Sequence, residues 1–313
     1  MPQRKRDDLL DQYIAHGARR WTAPKEPDHC VFCGEDKSPL TKEHVFSRWT
    51  HKFMLPRAKG KAQSIRGIEH QDPSKSYTEV VKLPGQLRDW KIKCVCGGDH
   101  TTCNGGWMKG MEDTAKPILK PLILGAYTDE TRHRISLSEQ GIIAAWATLK
   151  VMVAEFDEGS KPITHHMQRK YMMSHQLTPV HKWGVWIGHF NRERWITEWG
   201  SHPFQLLPDR LASRRPDREV TYFNGNSTTQ VIKKLFIHVI HSPMPNLVER
   251  WGFSLPHGGT LFRIWPPTGH SILWPGTPLD DRDADLAADA FTQRLREINA
   301  EITAMQAQSS PLS

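Results

Sequence analysis

All five cysteines of this 313-residue chain fall in its first third, at positions 30, 33, 94, 96 and 103. A clustered, odd set of thiols in a chain without an export signal reads as metal ligation rather than a disulfide framework. Zinc asks for four nitrogen or sulfur ligands in a tetrahedron, usually as two pairs on two tight turns. Cys30-Val31-Phe32-Cys33 supplies one pair, and Cys103 anchors the other. Its mate is His100 by spacing, because two intervening residues let one turn present both ligands. By thiolate softness it is Cys96 or Cys94. Spacing puts His100 first and Cys96 second. The expected ion is structural.

A second chemistry lies beside the first. Glu43-His44 follows the first cysteine pair, and Asn104 and Glu112 follow Cys103. Hydrolysis of a phosphodiester needs a base that is neutral near pH 7, which histidine provides. It also needs a cation to stabilise the leaving oxygen, and hard oxygen donors such as carboxylates and amides hold one.

The order Cys30-x-x-Cys33, Glu43-His44, then Cys103-Asn104-Gly105-Gly106-Trp107-Met108-Lys109-Gly110-Met111-Glu112, resembles the HNH endonucleases of the ββα-metal type, in their phage and bacterial branch. The resemblance covers about residues 28–125. It implies a zinc-stabilised module that hydrolyses DNA to a 5′ phosphate and a 3′ hydroxyl. His44 would be the general base, Glu43 and Asn104 ligands of a catalytic Mg²⁺ or Mn²⁺, and Glu112 a supporting carboxylate. One departure stands out: the family's middle motif is an asparagine that holds the segment carrying the base, and none occurs between His44 and Asn104. Asp89, Gln86 or His70 are the candidate substitutes.

Charge agrees with a polyanionic partner. The chain carries 42 Lys/Arg against 34 Asp/Glu, and residues 1–125 hold 22 of the former and 15 of the latter, leaving a nearly balanced 20 and 19 beyond. The excess therefore travels with the cysteines. Arg57, Lys59, Lys61 and Arg66, with Trp49 and Trp90 nearby, are the expected DNA contacts, tracking phosphates and stacking on bases. An apolar content of 38% without a long uncharged run excludes a membrane-spanning chain, and no signal-like segment opens it, so a cytoplasmic location is expected. Two alternatives stay open: a zinc-dependent nucleic-acid-binding protein without catalysis, and a nuclease effector whose C-terminal part senses a protein or small molecule.

The elements that must position these residues form an α+β chain. Three parts are expected: a helical arm at 1–27, the nuclease module at 28–125 with a basic insert at 52–92, and an accessory domain at 126–313. An amphipathic helix is read at 6–20. Another runs from about Gly105 to Ala115, stopping before Pro117. Ser136-Leu137-Ser138-Glu139 is a capping box opening an apolar helix through Ile143, Trp146, Leu149 and Val153. A polar helix is expected over about 164–175 and a last one over 280–306. Between them, period-two runs at 185–189, 194–197, 219–223, 231–240, 260–265 and 271–274 predict an antiparallel sheet, with Trp265-Pro266 and Trp274-Pro275 bracketing a hairpin.

Overall fold

The computed structural model describes residues 27–36, 39–54, 63–68, 77–82, 86–99, 101–157, 162–179, 183–191, 197–204, 225–242 and 258–280, with a few isolated positions. The expected helix at 6–20, most of that at 280–306, His70, His100, Arg57, Lys59 and Lys61 lie outside the described residues. What is described is a mixed helix and antiparallel-sheet architecture, as the α+β reading expected.

The first strands are β1 (Leu40–His44), β2 (Gln63–Ile68), β3 (Tyr77–Lys82) and β4 (Lys91–Cys96). β1 and β4 pair antiparallel as a separate two-stranded ribbon, with Leu40 opposite Cys96 and His44 opposite Lys91. Alternation gives the ribbon two faces. Lys42, Lys91 and Lys93 are exposed on one, while Glu43, Ile92 and Cys94 are buried on the other.

Helix α1 (Lys109–Leu124) follows the ribbon and runs through Pro117 and Pro121, where the sequence reading ended it before Pro117. Proline removes one helical hydrogen bond and costs about 3 kcal/mol in an interior. Here Pro117 lies on the exposed side, as does Asp113, whose carbonyl loses its helical donor. That carbonyl is on the solvent side, while Met111, Ala115, Leu119, Leu122 and Ile123 are buried on the opposite face. Burying such side chains contributes roughly 1.5–3 kcal/mol for each large one, which outweighs the lost bonds. Gly125, at φ 65°, ends the helix, with its own N–H on Leu122 and that of Ala126 on Pro121. Only glycine enters that left-handed conformation at little cost.

After β5 (His133–Ile135) comes α2 (Leu137–Ala154), opened by the expected capping box: Ser136 Oγ accepts from the Glu139 N–H at 3.3 Å, and Glu139 Oε2 accepts from the Ser136 N–H at 2.8 Å. α2 is the hub of the molecule. It meets α1, β4, α3 (His166–His175), and the strands β6 (Trp183–His189), β9 (Leu235–His241) and β10 (Leu261–Trp265). Contact on every side explains why it is apolar nearly all round.

The remaining strands are β7 (Thr197–Phe204), β8 (Gly225–Ile232), β9 (Leu235–His241), β10 (Leu261–Trp265) and β11 (Ile272–Trp274). Seven strands form one sheet in the order β10-β6-β9-β8-β7-β2-β3, antiparallel except at β2–β7. The run read as one strand over 231–240 is a hairpin, because Lys233 and Lys234 form its turn and Lys233 takes φ 54°. The expected runs at 194–197 and 219–223 fall outside the described residues except for Thr197. β10 and β11 do not pair as a hairpin: β10 joins β6 and β11 joins β5. Gln140, buried at the start of α2, donates to the carbonyls of Ile135 and His270 at 3.2 and 2.9 Å and so ties β11 to the helix entry.

Two expectations about domains meet the same observation. The basic insert contributes β2 and β3, which extend the sheet of the C-terminal half. The expected boundary at 125/126 falls inside one continuous core running from Cys30 to Trp274. No described helix is long and apolar enough to cross a membrane.

Candidate metal centre and adjacent acid–histidine site

The first cysteine pair sits on a tight turn. The Gly34 N–H bonds the Cys30 carbonyl at 2.8 Å, and the Val31 N–H reaches the Cys94 carbonyl on β4 at 3.0 Å. Cys96 ends β4, and the chain then turns through Asp99, whose carboxylate accepts from the Thr101 N–H at 2.8 Å, to reach Cys103. Gly105 is required by a close approach: a Cβ there would lie 2.1 Å from the Asp99 carbonyl oxygen. A short π-helical turn at Asn104–Met108 then leads into α1. Phe32 on the first turn packs edge-on against Trp107 on this one, with ring centroids 5.3 Å apart.

The ligand atoms of Cys30, Cys33, Cys96 and Cys103 all lie within 4.8 Å of one another. Zinc–sulfur bonds of about 2.3 Å in a tetrahedron set sulfur atoms about 3.8 Å apart, and the Cys33 and Cys96 sulfurs are 3.7 Å apart. The four thiols therefore fit a structural zinc in number, chemistry and spacing. Cys96 completes this set, where spacing had put His100 first. Cys94, two residues back on the strand, is fully buried and outside the cluster. The Cys103 N–H, directed at Cys96 Sγ at 3.2 Å, suits a thiolate. A hydrogen bond from Cys103 holds the Cys30 thiol down at about 4, while the same shared proton pushes Cys103 up, and burial raises Cys33 to about 11. Arg169 of α3 steadies the turn from outside, donating through Nε to the Val31 carbonyl at 3.1 Å.

The second constellation lies at the other end of the ribbon. His44 closes β1, and the Val45 N–H carries the ladder one step on, to the Trp90 carbonyl at 3.1 Å. A 3-10 turn at Arg48–Phe53 then brings His51 back, its ring centroid 4.9 Å from that of His44. Burial first, then the nearby His51, Lys91 and Lys150, press His44 down to about 4, against the opposing pull of Glu112. The imidazole is therefore neutral at pH 7. Glu43 points into the core and meets Glu112 of α1 across a cation that the sequence reading did not single out: Lys150 of α2, fully buried. Its ammonium is 2.7 Å from Glu43 Oε1, 2.5 Å from Glu112 Oε1 and 3.1 Å from the His44 carbonyl. Burial alone would lower the Lys150 pKa, but the two carboxylates outweigh it and raise it. Glu112 is held below the usual carboxylate range, because Lys150 and the Ser47 hydroxyl overcome its own desolvation. Ser47 donates to Glu112 at 2.5 Å and accepts from Trp146 Nε1 at 2.9 Å.

No family model, curated protein or solved structure matches this chain.

The Glu43 and Glu112 carboxylates and the main-chain carbonyl of His44 thus gather at Lys150, and Asn104 is bonded elsewhere. Its side-chain amide donates to Thr41 Oγ1 at 3.0 Å, at the zinc end of β1. Thr41 and His44 are three residues apart, or about 10 Å along a strand. The Glu43 and Glu112 carboxylates are hard oxygen donors, each with one oxygen on Lys150, and the Asn104 amide is bonded to Thr41. Of the expected DNA contacts, Arg66 lies on β2 and the others are outside the described residues. Trp90 is buried edge-on to Trp199, at 5.5 Å, and so offers no stacking platform, while Trp49 is half-buried and packs 6.3 Å from Trp146. The cations that share the exposed ribbon face with His44 are Lys42, Lys91 and Lys93. Lys150 had one signal in the sequence, a cation on the apolar stripe of α2, four residues after Trp146 and seven after Ile143.

Proposed function

We propose that this chain is a metal-dependent HNH-type endonuclease that hydrolyses DNA phosphodiester bonds, its four-thiol cluster holding a structural zinc. The observation that carries the reading is the meeting of the Glu43 and Glu112 carboxylates, from β1 and α1, with the main-chain carbonyl of His44 at Lys150, close enough for Glu112 and Lys150 to act on the His44 imidazole. A ribbon followed by a helix, with thiols at one end and this acid–histidine group at the other, agrees with the ββα-metal resemblance of the motifs. In this reading the neutral His44 imidazole takes a proton from the attacking water. A Mg²⁺ or Mn²⁺ ion held by the Glu43 and Glu112 carboxylates would stabilise charge on the leaving oxygen. Lys42, Lys91 and Lys93 offer the phosphate backbone a cationic face beside His44.

Cleavage of supercoiled plasmid by the purified full chain in Mg²⁺ or Mn²⁺ tests this. His44→Ala is expected to lower the rate by roughly 10²–10⁴-fold, the usual worth of general base catalysis. A variant that cuts as fast as the parent removes His44 from the mechanism. A second reading, a zinc-dependent nucleic-acid-binding protein without catalysis, is favoured by the attachment of Asn104 to Thr41 rather than to the carboxylates. Full-strength DNA binding with no cleavage under any divalent ion selects it.

A further inference from the structure

Building on the nuclease reading, we infer that Lys150 is the positioning residue of the site. From α2, outside the 28–125 segment, its ammonium clamps the backbone of His44 together with the Glu43 and Glu112 carboxylates.

The geometry is closed. An ammonium has three N–H donors, and Lys150 places them on Glu43 Oε1, Glu112 Oε1 and the His44 carbonyl. Its side chain is 0% exposed, so it does not reach a substrate and acts through the groups it holds. A buried ammonium is tolerated only where its charge and hydrogen bonds are fully met. A methionine at this point of an otherwise apolar helix would pack as well and carry no such demand. What distinguishes the position is that two carboxylates from separate elements and the carbonyl of the histidine converge on it.

The segment that follows β1 is pinned elsewhere too, but not at the base itself. His51 Nε2 bonds the Phe46 carbonyl at 2.9 Å, and Ser47 is held between Trp146 and Glu112. Lys150 alone among these touches the His44 backbone. The sequence offers no asparagine for that task between His44 and Asn104. Of the substitutes considered, Asp89 is exposed beside Arg88, at 3.8 Å. The part of the chain beyond residue 125 would thus complete the nuclease centre rather than accompany it.

The test is Lys150→Met in the full chain, read by hydrogen exchange and by steady-state cleavage. Peptides covering 44–47 should exchange about tenfold faster while β8 and β9 keep their protection, the mark of a local opening. kcat should fall by about 100-fold with KM for DNA within about threefold, since misplacement of a catalytic group acts on the chemical step. Unchanged protection at 44–47 in the folded variant, or an unchanged kcat, overturns the inference. Should Lys150→Met not fold, Lys150→Met/Glu112→Gln restores the buried charge balance and is compared with Glu112→Gln alone. Faster exchange at 44–47 in the double variant is expected, and equal exchange overturns the inference. If the parent cuts no DNA, the nuclease reading fails while the exchange measurements still decide what Lys150 holds.

Discussion

Replacing Cys96 by serine separates the four-thiol site from the alternatives, His100 and Cys94, that the sequence left open. Structural zinc binds small protein sites with an apparent free energy of about 10–16 kcal/mol at neutral pH. Shared over four thiolates, that is about 2.5–4 kcal/mol for each ligand, or roughly 10²–10³ in affinity. The full loss is expected at Cys96, because its sulfur lies 3.7 Å from that of Cys33 and a serine oxygen is a poor substitute in a thiolate set. Metal stoichiometry of the purified chain, followed by competition with a chromogenic chelator, gives the affinity. Cys94→Ser is the control: that thiol is equally buried but outside the cluster, so it should lose packing and keep zinc. His100→Ala should also keep zinc. Parent-like affinity in Cys96→Ser, with zinc lost from His100→Ala, would refute the four-thiol assignment and return the site to the spacing argument.

Two further outcomes concern stability. Gly105→Ala drives a Cβ to 2.1 Å from a backbone oxygen, where no rotamer gives relief, and should cost about 1–3 kcal/mol. Gly110→Ala, in exposed α1 with nothing within 4 Å, should gain roughly 0.5–1 kcal/mol; thermal melts that move the same way for both refute the packing account. Burial pushes Glu155 up to about 7 from 4.5, despite Arg169 and two hydrogen bonds from Thr164. The native state then binds more protons than the unfolded one between those values, so stability should fall as pH rises from about 4.5 to about 7 and stay flat above, by at most about 3 kcal/mol. Urea unfolding of the parent and Glu155→Gln at pH 5 and pH 8 isolates this contribution, and an equal pH dependence in both refutes it.

Local signals were legible where local chemistry decides. The Ser136–Glu139 box starts α2 as its spacing requires, and the cysteine pair at 30 and 33 forms its turn. The prolines of α1 misled because their cost is local while the burial of Leu119, Leu122 and Ile123 that outweighs it is tertiary. The 231–240 run hid a hairpin because two lysines between apolar stretches become a turn only when both strands find partners.

By itself the sequence determined that soft ligands, an acid–histidine pair and a basic excess share the first third of the chain, since residue type alone sets ligand softness, proton affinity and charge. Tertiary structure decided which atoms meet. It set Cys96 among the thiols, bonded the Asn104 amide to Thr41 rather than to a carboxylate, and brought Lys150 from more than a hundred residues away to Glu43 and His44. Distance in space follows from packing of the shared core, and no spacing along the chain encodes it.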